Sequence, residues 1–546
     1  MPDEFSARYS DLLTGSYDCV DRVVLNAYFS LAHSPGGFRT WWRRWHDDRD
    51  DDLDNAHLMR MAGRFSRRVR KWAQVHRVPV IDCKAGERKH RIAEEYLASH
   101  SVGPGVFMIL VARARATVWK VRKSAAGIII SLEKKSEYVN HYSFHIMDPA
   151  WGHLVIKMSG HPPFGAQVIL NGHEYVACAA QAAGISFVKE GNCFTYITDP
   201  AGLAQIAETL SQDAAIGRLG RACDRWIYTA CLCFGLDLAE QQASGFRYAY
   251  SVYQAEYSRN LIFASGARMD RIFGTVADRT RSRLDVPSLR TLFGMKHRPA
   301  GTGEPSLKLA VVIERPAYDL TLFKVHFGLL TLKGYTKGER VLRFEAIVHN
   351  TKTLKTGRGL EKFPEIVARL AGMAGRFCTM LDCVDTGFIP GGLLDELPLP
   401  SQTGATRTGG IDVNRPRSRA ALAAALALAI APGGFTVADF AAKVQAMTGQ
   451  DSYTIRNAAY DLRKLRGKHL ADKPGRTRRY HISPGAARII SALLTLREQV
   501  IAPLLAGVAD PRIRRTPRHW TDIDRHYQAL RLEMMALFAD IGIACG

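Results

Sequence analysis

The sequence predicts a multidomain α+β protein: a helical basic N-terminal region, an α+β body with an antiparallel meander, and a C-terminal helical module ending in a hairpin. Three observations carry that expectation. From Val78 the hydrophobic pattern alternates between strand and helix periods. Residues 307–350 hold a run of short apolar segments separated by turn residues. Pro390–Asp412 is rich in Gly, Pro, Thr and Ser, as a linker is, and a compact run of helices follows it. The expected units are a helical basic region (1–75), an α+β domain (76–215), a helical segment plus antiparallel sheet (216–395), a linker (396–417), the helical module (418–498) and a basic helical tail (499–546).

The 546 residues carry 74 Lys and Arg against 52 Asp and Glu, a net charge of +22. That excess suits a polyanionic partner, with nucleic acid the first candidate. It is spread over the chain, since residues 411–546 alone hold 21 Lys and Arg against 11 Asp and Glu. The N-terminus lacks a charged start followed by an apolar core, and no run of 18 apolar residues occurs, so neither signal peptide nor membrane partner is expected. Ten scattered cysteines without a CxxC pair fit free thiols in a reducing, cytoplasmic setting. No GxGxxG follows a strand and no GxxxxGK[ST] occurs, which argues against a nicotinamide enzyme or P-loop ATPase.

Tyr17–Leu31 is apolar and is assigned to the helical N-terminal region. Phe38–Trp45 sets Trp41, Trp42 and Trp45 among Arg39, Arg43 and Arg44. After the acidic run Asp47–Asp54, Leu58–Trp72 carries Arg60, Arg64, Arg67, Arg68, Arg70 and Lys71. Cations interleaved with tryptophan suit phosphate contacts and base stacking; a solvated helix with its tryptophans in the core gives the same pattern. The density of charge makes Arg43, Arg44, Arg64, Arg67, Arg68 and Lys71 candidate nucleic-acid contacts, with the aspartates competing for them.

In the body, Val106–Ala112 belongs to a long strand, Tyr142–Met147 and His153–Met158 read as an antiparallel pair, and Val168–Ala183 reads as a helix. His141 and His145 share a strand face, and His145 with Asp148 could ligate a divalent metal; ordinary sheet and turn histidines explain the same residues. Phe246–Phe263 alternates by twos, as a strand does, with Glu256 in its middle and a helical reading open beyond Gln254. Leu307–Glu314, Leu320–Val325, Leu329–Tyr335 and Val341–His349 form the meander.

Within it, Leu332-Lys-Gly-Tyr-Thr-Lys337 and Leu342-Arg-Phe-Glu345 are similar to a pattern in plasmid and phage replication initiation factors, where a Tyr-x-Lys strand precedes a Leu-Arg-x-Glu strand. The resemblance covers about 40 residues. It implies a single-strand nickase with a tyrosine nucleophile and a carboxylate-held Mg2+ or Mn2+. The candidate catalytic residues are Glu256, Glu345 and Tyr335, with Glu345, Asp148 and His145 as candidate metal ligands. A structural ion pair of Glu345 with Arg343 is the competing explanation. The His-x-His pair that many nicking enzymes use is absent from the chain.

After the linker, Ser418–Ala431, Val437–Met447 and Tyr453–Arg466 read as helices, the last amphipathic and basic. Leu470–Lys473 and Arg479–Ile482 read as strands joined by an arginine-rich turn. Leu462-Arg-Lys-Leu-Arg-Gly-Lys-His-Leu470 with Gly475-Arg-Thr-Arg-Arg-Tyr480 resembles winged helix-turn-helix repressors of the MarR and PadR type, over about 70 residues. The resemblance implies a third helix in the DNA major groove and a hairpin on the phosphates. Candidate contacts are Arg456, Asn457, Arg463, Lys464, Arg476, Arg478 and Arg479, with Arg512, Arg514 and Arg515 in the tail. The function expected is nucleic-acid binding, DNA first, in a mobile-element or phage-type protein acting as nickase, nuclease or replication initiator. The alternatives are the protein half of a ribonucleoprotein holding a structured RNA, and a transcriptional regulator. The oligomeric state stays open.

Overall fold

The computed structural model describes residues 4–84, 86–283, 311–314, 322–403, 406–502 and 521–540. Its α+β body is organised by one sheet. The strands in chain order are β1 (Leu13–Phe29), β2 (Val80–Asp82), β3 (Gly105–Lys123), β4 (Ile129–Asp148), β5 (Gly152–Ser159) and β6 (Ala166–Asn171). A separate hairpin follows, β7 (Phe187–Lys189) with β8 (Phe194–Ile197). Then come β9 (Tyr248–Phe263), β10 (Val311–Glu314), β11 (Leu322–Phe327), β12 (Leu330–Lys337) and β13 (Val341–Val348). Eleven of them form a sheet in the order β10-β11-β12-β13-β9-β1-β6-β5-β4-β3-β2. Its ladders are antiparallel except for the parallel β2–β3 edge. Strands from the expected units 1–75, 76–215 and 216–395 therefore share one sheet.

The apolar run Tyr17–Leu31, expected to be helical, is β1 at the middle of that sheet. Tyr17, Cys19, Val20, Val23, Val24, Leu25, Ala27 and Phe29 are all buried because both faces of a central strand are covered. A strand buried on both sides reads as an unbroken apolar run, and such a run carries no period to separate it from a helix. Likewise Val168–Ala183, expected as one helix, is β6 followed by a helix, with Asn171 accepting from His173 N at the junction.

On one side of the sheet, α1 (Pro35–Trp45) is capped by Ser34 and α2 (Asn55–His76) by Asp54. They bury Phe38, Trp41, Trp42 and Phe65, and Phe65 lies against Tyr142. On the other side, α3 (Gly172–Ala182) and the β7–β8 hairpin cover β1 at the middle of the sheet, with His173 and Phe194 each edge-on to Tyr17. Helix α4 (Ala214–Trp226) ties down the β4–β5 turn through Arg225, which meets Asp148 at 2.8 Å. The long helix α5 (Phe363–Asp385) packs on β13, Phe377 edge-on to Phe344.

The C-terminal module has four helices, α6 (Pro416–Leu428), α7 (Val437–Thr448), α8 (Ile455–Gly467) and α9 (Pro484–Thr495). Thr436 and Asp439 form a capping box on α7, and Gly449 ends it in a left-handed conformation, φ 66°. The strands expected at Leu470–Lys473 and Arg479–Ile482 are reduced to single antiparallel bridges, Asp472↔His481 and Phe435↔Tyr480. Asp472–Arg479 between them is exposed and has no layer to pair against. Helix α9 joins the module to α5: Arg488 meets Asp382 at 3.0 Å and donates to Thr386 Oγ1. No helix among the described residues is long and apolar enough to cross a membrane.

Gly172 fixes how closely α3 approaches the sheet, since a Cβ there would lie 1.8 Å from the Val20 carbonyl oxygen. Gly172→Ala is expected to lower the unfolding free energy by about 1–3 kcal/mol in urea titration. Gly36→Ala, whose added Cβ meets nothing within 4 Å, should change it by less than ~0.5 kcal/mol.

Candidate functional site

On the α3 side of the sheet, side chains from four adjacent strands form a line of polar and charged groups. β12 contributes Lys333, Tyr335 and Lys337, β13 contributes Arg343 and Glu345, β9 contributes Glu256, Ser258 and Asn260, and β1 contributes Tyr17, Cys19 and Asp21. Register brings them together: Lys333 pairs with Glu345, Glu345 with Ser258, and Ser258 with Cys19. A register shift between Val20 and Val23 lets the strand change pitch there, with Asp21 inside the shifted segment.

Arg343 is wholly buried and touches Asp21 through Nη2, while its Nε lies 2.9 Å from Glu345 Oε1. Its Nη1 donates to the Asn192 carbonyl on the β7–β8 turn at 2.6 Å. Asp21 also accepts from Ser258 Oγ at 3.1 Å and lies 2.7 Å from His173 Nδ1. Glu345 accepts from the Tyr335 hydroxyl at 2.5 Å, with Lys333 Nζ at 3.3 Å. Gln254 donates to Glu256 at 2.7 Å.

Burial sets the electrostatics. Desolvation alone would raise the Asp21 carboxyl, yet Arg343 and His173 hold it well below the usual carboxylate range. Glu256 is raised, first by burial and then by the charges of Glu345 and Asp21. Burial also lifts the Tyr335 phenol well above its ordinary value, and Glu345 adds to this against the pull of Arg343. Lys337 is lowered by burial and by Arg343. Three carboxylates and three cations thus meet with a phenol in a partly water-excluded strip.

Of the residues singled out in the sequence, Glu345 and Tyr335 are in direct contact, and Glu256 is close enough to Glu345 for their charges to interact. The ion pair of Glu345 with Arg343 is present too. The proposed ligand set Asp148, His145 and Glu345 is not assembled: β4 and β13 are separated by four other strands. Asp148 is spent on its own turn and on α4, accepting from Ala150 N, Trp151 N, Arg225 and Trp226 Nε1. His145 lies 3.0 Å from His153, and burial lowers it to about 3.

The N-terminal cations also divide. Arg43 pairs with Asp50, Arg64 with Glu240, and Arg68 with Asp237 and Glu240. Arg44, Arg67 and Lys71 are exposed. The aspartate run is an ordered clamp rather than a loose competitor: Asp50 takes Arg39 and Arg43, Asp52 takes Trp42 Nε1, and Asp54 caps α2. In the C-terminal module, Arg456, Arg463, Arg476, Arg478 and Arg479 are exposed, and Asn457 and Lys464 half-buried. Ile455 is exposed, because it opens α8 one turn before the packed face of Ala458, Leu462 and Leu465. Arg512, Arg514 and Arg515 lie outside the described residues.

The sequence reading missed Asp21, His173 and Lys333. A signal was there: Asp21-Arg22 interrupts an apolar run from Cys19 to Leu25, and a charge in such a run needs a partner. Further along the same face lies an open cleft of about 730 Å3 with Arg115, Lys157, Arg358 and His141 in its lining. Comparisons with family models, curated proteins and solved structures found no match to this chain.

Asp21→Asn is expected to cost about 3–5 kcal/mol of stability, since it leaves Arg343 as a buried charge short of its main partner. Asp21→Asn combined with Arg343→Met should recover much of that loss in urea unfolding at pH 7. The folded Asp21 value lies below the unfolded one of about 3.8, so its contribution is full above that pH and disappears as pH falls through the folded value. The wild type should therefore lose stability in acid that the double variant does not lose.

Proposed function

We propose that the protein binds DNA through a winged helix-turn-helix formed by residues 416–494, with α8 as the recognition helix and the 472–481 turn as the wing. The observation that carries this reading is the contrast in cation partners. Arg456, Arg463, Arg476 and Arg478 are exposed with no acidic partner among the described residues, whereas Arg43, Arg64 and Arg68 are neutralised by carboxylates. Cations held away from carboxylates stay available to phosphate. Arg456 and Asn457 sit in the first turn of α8, the part of a recognition helix that reaches base edges.

The body then acts on a nucleic-acid strand brought to this strip, as a nickase or replication initiator of mobile-element or phage type. Tyr335 is the nucleophile and Glu345, 2.5 Å away, the base. The phenolic oxygen attacks phosphorus, its proton passes to Glu345, the sugar oxygen departs and takes a proton from water, and the strand end stays on Tyr335. Glu256 and Glu345 are the residues that would hold Mg2+ or Mn2+. Such an ion supplies charge neutralisation at the phosphate.

Fluorescence anisotropy with labelled duplex DNA, run over a series of salt concentrations, tests the first part. Arg456→Ala with Arg463→Ala should weaken binding and reduce the log–log salt slope by about two. Absence of duplex binding at low salt would refute the winged-helix reading. Nicking of single-stranded DNA with Mg2+ or Mn2+ should vanish in Tyr335→Phe while duplex binding persists. The cleft with Arg115, Lys157 and Arg358 favours a second reading, a ribonucleoprotein. Under it, one defined RNA co-purifies and Tyr335→Phe changes nothing.

A further inference from the structure

Away from the sheet face, His46 at the end of α1, Asp52 in the acidic loop and His57 in the first turn of α2 converge. His46 Nε2 lies 3.7 Å and His57 Nδ1 3.6 Å from the same oxygen, Asp52 Oδ2. These separations exceed hydrogen-bond reach. They are close to the ~3.4 Å spacing of neighbouring ligands around a tetrahedral ion with bonds of about 2.0–2.2 Å. The three donor atoms lie within 4.8 Å of one another.

Each outer atom of two of these ligands has a partner that would orient it. His46 Nδ1 lies 2.9 Å from the Trp42 carbonyl, so this nitrogen carries the proton and Nε2 presents its lone pair inward. Asp52 Oδ1 accepts from Trp42 Nε1 at 2.8 Å, which leaves Oδ2 facing the imidazoles. Backbone carbonyls behind histidines and donors behind carboxylates are the usual outer shell of a metal site. The indole of Trp42 is wholly buried, so this shell is anchored in the core. Of the loop's other carboxylates, Asp50 is committed to Arg39 and Arg43 and Asp54 to the cap of α2, while Asp47, Asp48 and Asp51 are exposed.

We propose that His46, Asp52 and His57 bind one Zn2+ and leave a fourth position open. Two imidazoles and one carboxylate with an open position is a donor set that zinc favours. Both histidines line a cleft of about 350 Å3 that Arg60, Arg64 and Arg67 also line. Arg64 is held by Glu240, while Arg60 and Arg67 are exposed. The open position therefore faces cations, and the ligand it takes is an oxyanion such as phosphate.

The test uses full-length, tag-free protein stripped with EDTA. Calorimetric titration with Zn2+ should give one equivalent. Binding should weaken at least about 100-fold in His57→Gln and in Asp52→Asn, more than loss of an outer partner usually costs. Asp52→Asn keeps the oxygen that accepts from Trp42, so its metal-free melting temperature should match the wild type even if His57→Gln folds poorly. Co2+ in place of Zn2+ should show the intense visible bands of a four-coordinate ion, and inorganic phosphate should shift them. No Zn2+ bound by the wild type, or full binding by a folded Asp52→Asn, would overturn the site. A cobalt spectrum indifferent to phosphate would overturn the open position.

Discussion

The contact between Asp21 and Arg343 is the constraint on which the body depends. The two residues belong to β1 and β13, and β9 runs between them. Neighbouring strands lie about 4.8 Å apart, so the pair spans close to 10 Å of sheet and only a side chain as long as arginine reaches across. Beneath it β9 offers Ser258 and Asn260, small enough to leave room; Ser258 donates to Asp21, and Asn260 donates to Ser258. A slip of one residue in any of the three strands would turn these groups to the opposite face, into the aromatic layer under α5. The ion pair thus works as a register lock.

Its energy alone does not explain its presence. Two unit charges 4 Å apart attract by about 4 kcal/mol at an effective dielectric of 20. Taking each ion out of water costs several kcal/mol, so a lone pair would come near to balance. The surrounding donors change that. Arg343 is also met by the Asn192 carbonyl and by Glu345, and Asp21 by Ser258 and His173. The same polar saturation continues along the strip, where Glu345 meets Arg343, Tyr335 and Lys333 and the charge of Glu256 lies close by. The Asp21–Arg343 lock and the Glu345–Tyr335 contact are parts of a single strip.

The parts of the fold that were legible in the sequence are those with a clear period or a clear stop. The strand within Phe246–Phe263, the antiparallel pairing of Tyr142–Met147 with His153–Met158 and the helix at Val437–Met447 each appear where the residues predict them. The central strand was not legible, since Leu13–Phe29 is covered on both sides and lacks alternation. Tyr335 and Glu345 were legible as neighbours because β12 and β13 are adjacent in sequence and pair directly. Asp21 and His173 were not. Asp21 meets Arg343 from 322 residues away and His173 meets Asp21 from 152, and no local pattern encodes such a meeting. The arginines of α2 illustrate the reverse error: their spacing suggests a free basic face, while Glu240 and Asp237 lie far along the chain.

The position of β1 has a consequence for synthesis. Among the described strands the first in chain order, β1, is the sixth of eleven across the sheet, between β6 and β9. Its β9 partner begins at Tyr248, roughly 220 residues later, or about 10–45 s at ordinary elongation rates. During that interval Val20, Val23, Val24, Leu25, Ala27 and Phe29 lack one of their two edges, and an unpaired apolar edge is the kind of surface that chaperones hold and that nascent chains share with one another. The body closes only when β9 and β13 arrive.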